Sequence, residues 1–282
     1  MGNVIQTNVA ALNSQRNLYR TNISLNETFQ RLSSGFRINS AKDDAAGLQI
    51  SNQLTSQING LTVGIRNAND GLSVAQVGEG AQQEITNILQ RMRELAISAA
   101  NGTTADNGPE KTALDSEYQQ LVLEIQRITT TTNFGSTALL DGTFGTKTLQ
   151  VGANSGETIN IEMVDARSLA VVIGTGTSAA PAPSTILTVS LASAELSQID
   201  ASISTIDTNR AQLGAVQNRL SSTISNLSNI IENVSASRSR LRDADYALET
   251  SNLAKGQVLQ QAGLSILAQA NSSSQGVLSL LQ

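Results

Sequence analysis

The sequence predicts a mainly α protein: an elongated antiparallel bundle of long helices, a small β-hairpin region, and a two-helix coiled coil made by the N- and C-termini. Three observations predict it. Apolar residues recur at alternating steps of three and four through most of the 282 residues, the mark of helices packed along seams. Trp is absent and there are only three Tyr and four Phe, too few aromatic anchors for a compact globule. Residues 1–15 and 256–282 carry no charge at all, yet both stretches keep Val, Ile and Leu.

The N-terminal helix shows two stripes. Ile5, Val9, Leu12, Tyr19 and Ile23 make one, and Leu18, Leu25, Phe29, Leu32 and Phe36 the other. A long helix is predicted from Ser40 to the Asn101-Gly102 stop, about 90 Å at 1.5 Å per residue. Ser40 with Asp43 three residues on, and Asp44 beside it, suggests a capping box with acidic charge at the positive helix end. The first seam of this helix runs Ile50, Leu54, Ile58, Leu61, Ile65, Ala68, Leu72 and Ala75. A neighbouring seam continues through Val74, Val77, Ala81, Ile85, Ile88, Met92, Leu95 and Ala99. Gly78 and Gly80 should soften the helix between them.

Pro109 sits where a helix favours its first residue, and Leu114, Tyr118, Leu121, Ile125 and Ile128 give that shorter helix its apolar face. The period then falls to two. Leu149 and Val151 alternate, as do Ile159, Ile161 and Met163, with the turn residues ANSG between them, so a β-hairpin is predicted. Residues 165–190, with the Pro-rich SAAPAPS, are expected to form a small loop or outer excursion. The strongest register follows: Leu196, Ile199, Ile203, Ile206, Leu213, Leu220, Ile224, Leu227, Ile231, Val234, Leu241 and Leu248. Arg210, Gln217, Arg238 and Asp245 take its polar positions. In the last helix Val258, Leu259, Ala262, Ile266, Leu267, Ala270, Val277, Leu278 and Leu281 share a face.

Composition narrows the chemistry. Without Cys there is no disulfide or thiolate site, and without His the commonest general base and metal ligand is missing. No cofactor and no metal are expected. A net charge of -5 argues against nucleic acid. The start lacks the basic region and apolar core of a cleaved signal peptide, and the C-terminus holds too much Gln, Asn and Ser to span a membrane. Ser33-Ser34-Gly35 near Lys42, Asp43 and Asp44 supplies the pieces of a Ser–Lys site, but those charges suit helix capping and subunit contact, so no enzyme is expected. Sequons such as Asn101-Gly102-Thr103 are at chance level in so Asn- and Ser-rich a chain.

The charge-free ends point to self-assembly. A membrane-surface helix would want Lys or Arg on its polar face, which residues 256–282 lack. A two-helix coil covers only part of each apolar side chain, so the ends are expected to order only when sister subunits cover them. Ile5, Val9, Leu12, Leu259, Ile266, Leu267, Leu278 and Leu281 are the residues expected to make subunit contacts. Identical copies meeting head-to-tail without closure build a helical filament.

Residues 31–54, RLSSGFRINSAKDDAAGLQISNQL, resemble the N-terminal hallmark of bacterial flagellin. So do RNANDGLSVAQVGEGA at 66–81 and LQRMRELAISAANGT at 89–103. NFGSTALLDGTFGTKTLQVGANSGETI is similar to its hairpin region, and LRDADYALETSNLAKGQVLQQAGLSILAQAN with the ending VLSLLQ to its C-terminal domain. The resemblance implies a self-polymerising filament subunit for swimming motility, located outside the cell; a hook–filament junction protein is the alternative. It implies an inner-tube coiled coil from 1–40 and 250–282, a bundle with hairpin from 41–164 and 192–249, and a short variable outer segment at 165–191. The implied partners are further copies of itself, the flagellar type III export apparatus, a flagellin chaperone, the filament cap and hook–filament junction proteins. A host Toll-like receptor for flagellin is implied as well, through Gln90, Arg91, Glu94 and Leu95, with Glu117 as a secondary contact. Ser98 stands where many recognised flagellins have Gln, which weakens that match, and Leu95 would also suit bundle packing.

Overall fold

The computed structural model describes residues 7–169 and 184–279, with side chains to residue 273. Helices form at α1 (Val9–Ser34), α2 (Ala45–Ala99), α3 (Pro109–Thr131), α4 (Val189–Arg242) and α5 (Tyr246–Ser279). Strands β1 (Asn133–Phe134) and β2 (Thr137–Ala138) make one small antiparallel pair, and β3 (Thr146–Gln150) and β4 (Thr158–Glu162) another. The chain divides into two compact units, Met1–Gln57 with Glu232–Gln282, and Ile58–Ile231.

In the first unit α1 and α5 lie antiparallel. Asn8 Nδ2 donates to the Ala270 carbonyl at 2.9 Å, Gln260 Nε2 to Asn22 Oδ1 at 2.9 Å, and Arg31 pairs with Glu249 at 3.1 Å. Asn8 also caps α1 by accepting the Ala11 N–H, and Gly35 ends it in the left-handed region at φ 73°. In the single chain both helices are formed, over Val9–Ser34 and Tyr246–Ser279. Their seams mesh closely because Leu25 and Leu18 lie over Gly256 and Gly263, where a Cβ would come within 2.7 Å of each leucine.

The start of α2 corrects the predicted cap. Residues 40–43 form a turn, not helix; Asp43 Oδ2 accepts the Asn39 and Ser40 N–H groups and the Ser40 hydroxyl. Asp44 does the capping, accepting the Gly47 N–H at 2.8 Å. The register read through Leu248 is also broken. α4 stops at Arg242, Asp243 bridges to Phe36, and Asp245 accepts the Ala247 and Leu248 N–H groups to start α5. Arg37 N–H donates to the Arg242 carbonyl at 2.7 Å, and the Arg242 guanidinium stacks on the Phe36 ring. These contacts strap the α1–α2 link to the α4–α5 link.

In the second unit α2 and α4 run antiparallel. Gln217 Nε2 donates to Glu79 at 2.7 Å, Gln82 Nε2 to Asn209 Oδ1 at 2.6 Å, and Arg93 pairs with Asp200 at 2.7 Å. The α2 seam buries Leu61, Gly64, Ala68, Gly71, Ala75, Gly78, Gln82, Ile85, Leu89, Met92, Ala96 and Ala99 in unbroken three–four steps. Gly64, Gly71 and Gly78 are where the hairpin presses on the helix. A Cβ on Gly64 would stand 2.6 Å from the Val151 carbonyl oxygen, and one on Gly78 2.6 Å from Met163 Cε. The hairpin has the predicted alternation: Ile159 and Ile161 are buried, and β3 pairs with β4 from Thr146–Glu162 to Gln150–Thr158. Asn209 pins it, donating to the Glu162 carbonyl and accepting the Val164 N–H. Only the flanks of the 165–191 segment, 165–169 and 184–191, are described; residues 170–183, with most of SAAPAPS, lie outside the described residues. Lys111, wholly buried, reaches Asp106 at 2.6 Å, and Asp106 accepts the Val189 N–H.

α3 joins through a buried acid. Tyr118 Oη donates to Glu195 Oε2 at 3.0 Å inside the core. Burial pushes the Glu195 carboxyl above its ordinary range, while hydrogen bonds from Tyr118 and Ser184 pull the other way; burial and the neighbouring carboxylate raise the Tyr118 hydroxyl too. A raised folded pKa means the folded chain holds this proton where the unfolded chain, titrating near 4.5, has lost it. Stability from Glu195 is thus fully present at acid pH and falls as pH rises through the folded value. Glu195→Gln keeps an acceptor for Tyr118 and removes the buried charge. Urea unfolding across a pH series should show the variant at least as stable as the parent at pH 7, with the difference shrinking as pH falls toward 4.5. A difference that stays constant with pH would contradict this.

Candidate functional site

Three of the residues that suggested a Ser–Lys site are engaged in local structure. Ser34 Oγ accepts the Phe36 N–H and donates locally, and Asp43 and Asp44 are spent on the turn and the cap. Among the described residues no group of three or more His, Cys, Asp and Glu gathers to hold a metal, and no helix is long and apolar enough to cross a membrane.

The helix pair of the first unit has a different character. One seam is closed: Ala11, Ser14, Leu18, Thr21, Leu25, Thr28 and Leu32 of α1 are all covered in part or whole, as are Glu249, Leu253, Gly256, Gln260, Gly263, Leu267 and Ala270 of α5. Both sets step by three and four, a two-stranded heptad interface. Away from the seam, apolar side chains on both helices stay uncovered. Val9 is 67% exposed, and Leu12, Tyr19, Ile23 and Phe29 are exposed beside it. On α5, Leu248, Val258, Leu259, Leu264 and Ile266 are exposed, Ile266 at 59%. Large apolar side chains left uncovered in this number mark a contact face, with Arg16 between Leu12 and Tyr19 and Lys255 between Leu248 and Leu259 as the charges on it.

This sorts the residues expected to drive assembly. Val9, Leu12, Leu259 and Ile266 are among the uncovered side chains. Leu267 does not: it falls on the seam with Gly263 and Ala270 and is half-buried, because a step of one residue turns a helical side chain by about 100°. Ile5 and Leu281 lie outside the described residues, and Leu278 lies in α5 with its side chain outside them.

A second candidate surface lies on the second unit. Arg91 pairs with Glu94 at 2.9 Å and with Glu117 of α3 at 2.8 Å, and Gln90 is exposed next to it. Hydrogen bonds from Arg91 to Glu117 and Glu94 hold the guanidinium charged still more firmly than usual. Leu95 corrects the expected set. It is 3% exposed and belongs to the hydrophobic core with Met92 and Ala99, one seam step from each. Gln90, Arg91, Glu94 and Glu117 therefore share a surface, and Leu95 supports it from inside. Sequence reading missed the buried polar groups at Glu195, Ser202 and Asn209, which occupy every other step of the α4 seam. Their three–four spacing with Ile199, Ile206 and Leu213 was the available signal.

Comparison with known proteins places these surfaces in context. Residues 5–145 match the family model described as the bacterial flagellin N-terminal helical region, and residues 196–281 match the bacterial flagellin C-terminal helical region. B-type flagellin of Pseudomonas aeruginosa is 53% identical over 171 residues, 61% of this chain and 35% of that protein. Polar flagellin F of Vibrio parahaemolyticus is 53% identical over 168 residues, 60% of this chain and 44% of that protein. The match thus spans less than half the length of these relatives. The crystal structure of Bacillus cereus flagellin is 34% identical, with a TM-score of 0.49 over 57% of this chain and 88% of that one.

Proposed function

The chain belongs to the bacterial flagellin family, and from that premise we propose that it is the structural subunit of a flagellar filament, polymerising through α1 and α5. The observation that carries this reading is the set of large apolar side chains left uncovered on α1 and α5 outside the closed seam. One chain satisfies one seam and leaves these side chains in water; further copies of the chain remove them. The filament lies outside the cell, reached through the flagellar export apparatus with a chaperone. The 1–40 and 250–282 segments form its inner tube, the 41–164 and 192–249 segments the surrounding shell, and 165–191 the outermost part. Cap and hook–filament junction proteins meet its two ends. The relatives named above are flagellins, which supports a filament subunit over a junction protein.

The charged patch of Gln90, Arg91, Glu94 and Glu117 is the proposed contact for a host Toll-like receptor, incidental to motility.

Seeded growth tests the main reading. Purified full-length chain, added with salt to filament fragments, should extend them into long tubes visible by electron microscopy. A short added zone that stops would indicate a junction protein, and no addition at all would overturn the assembly role.

A further inference from the structure

Asn-Gly occurs three times, at Asn59-Gly60, Asn101-Gly102 and Asn107-Gly108. In an unfolded chain all three would be open to the same intramolecular reaction, because glycine leaves the following amide nitrogen unhindered. The fold treats them differently. Asn59-Gly60 is inside α2, and Gly60 packs on Ala153. Asn107 is held at φ 57° with its N–H donating to the Leu187 carbonyl, and the Gly108 N–H is engaged by the Ala105 carbonyl at 3.0 Å. Asn101 lies past the end of α2 in an exposed turn, and among the described residues nothing accepts the Gly102 N–H.

Two contacts go further than exposure. The Thr103 N–H donates to Asn101 Oδ1 at 3.1 Å, which holds the carboxamide against the main chain of the turn that contains Gly102. The Thr104 hydroxyl donates to the Asn101 main-chain carbonyl at 3.2 Å, which draws electron density from the Asn101–Gly102 peptide and makes its N–H more acidic. We infer that Asn101 is a built-in deamidation site, activated by the turn that joins α2 to α3.

The Gly102 nitrogen loses its proton to solvent base and attacks Asn101 Cγ. Negative charge gathers on Oδ1, where the Thr103 N–H already points, a small oxyanion hole. The Cγ–Nδ2 bond breaks and ammonia leaves with a proton from water, giving a five-membered imide. Water then opens either carbonyl, leaving Asp or isoaspartate at 101. Either product puts a carboxylate at the C-terminal end of α2, where the helix dipole disfavours it. Isoaspartate also lengthens the main chain of a turn that Asn107 ties to Leu187.

The test is ageing of the full chain at mildly alkaline pH, folded and in urea, with peptide mass mapping of the three sites. In the folded chain Asn101 should convert at least about tenfold faster than Asn59 and Asn107, a barrier difference of ~1.4 kcal/mol. In urea the three should converge. Thr104→Val should slow Asn101 in the folded chain and leave its rate in urea unchanged. Gly102→Ala should slow it in both, without loss of fold, since a Cβ at Gly102 meets nothing within 4 Å. Equal rates at the three sites in the folded chain, or an unchanged folded-state rate in Thr104→Val, would overturn the inference.

Discussion

Deletion of residues 256–282 should leave residues 58–231 cooperatively folded and abolish filament growth. The hydrophobic core runs from Ala68 to Leu220, wholly within the second unit, so the deletion takes no side chain from it. Its unfolding midpoint in urea should shift little. The first unit loses Gly256, Gly263, Leu267 and Ala270 from the seam, so α1 loses most of the surface that covers Leu18 and Leu25. The exposed α5 side chains Val258, Leu259, Leu264 and Ile266 go as well. Full burial of each such side chain contributes about 1.5–3 kcal/mol, so losing all four would raise the concentration needed for growth by more than about a thousandfold. Sedimentation of seeded mixtures measures this directly. Normal growth of the truncated chain would show that α5 does not hold the filament together.

Much of this fold was legible because its signals were local. Pro109 opens α3, ANSG turns the hairpin, and the alternation of Ile159, Ile161 and Met163 marks its buried face. The α2 seam was less legible for a physical reason. Apolar side chains alone suggested two successive seams through Leu72 and Val77, whereas the buried face is one line through Gly64, Gly71, Gly78 and Gln82. A glycine is buried there because the hairpin needs the space, through the Val151 main chain at Gly64 and the Leu149 and Met163 side chains at Gly71 and Gly78, and that need arises only once β3 and β4 have docked. The α4 seam hid its buried positions in the same way. Asn209 is held inside by Gln82, Val164 and Glu162, partners far from it in sequence. In the candidate site the sequence located both apolar ends but not which residues the pair itself consumes. Ile266 and Leu267 cannot share one face: Ile266 stays exposed, and its neighbour Leu267 turns into the seam.

That division makes a single substitution decisive. Ile266→Asp should leave the isolated chain folded as before, since a residue already 59% exposed contributes little to the monomer, typically within about 0.5 kcal/mol. In the filament the same change removes about 1.5–3 kcal/mol of burial. It also asks a carboxylate to enter an apolar contact, at an effective cost of several kcal/mol. The concentration for seeded growth should therefore rise by more than about a hundredfold, with circular dichroism of the monomer unchanged. Leu18→Asp is the contrasting case. Leu18 lies against Gly263 inside the seam, so its charge should loosen the α1–α5 pair in the monomer and impair growth together. Separation of the two effects at Ile266, against their coupling at Leu18, is what distinguishes a surface reserved for other copies from a poorly packed helix pair. If Ile266→Asp grew filaments at the parent concentration, that surface would stay wet in the polymer, and the contacts that build the polymer would have to come from another face.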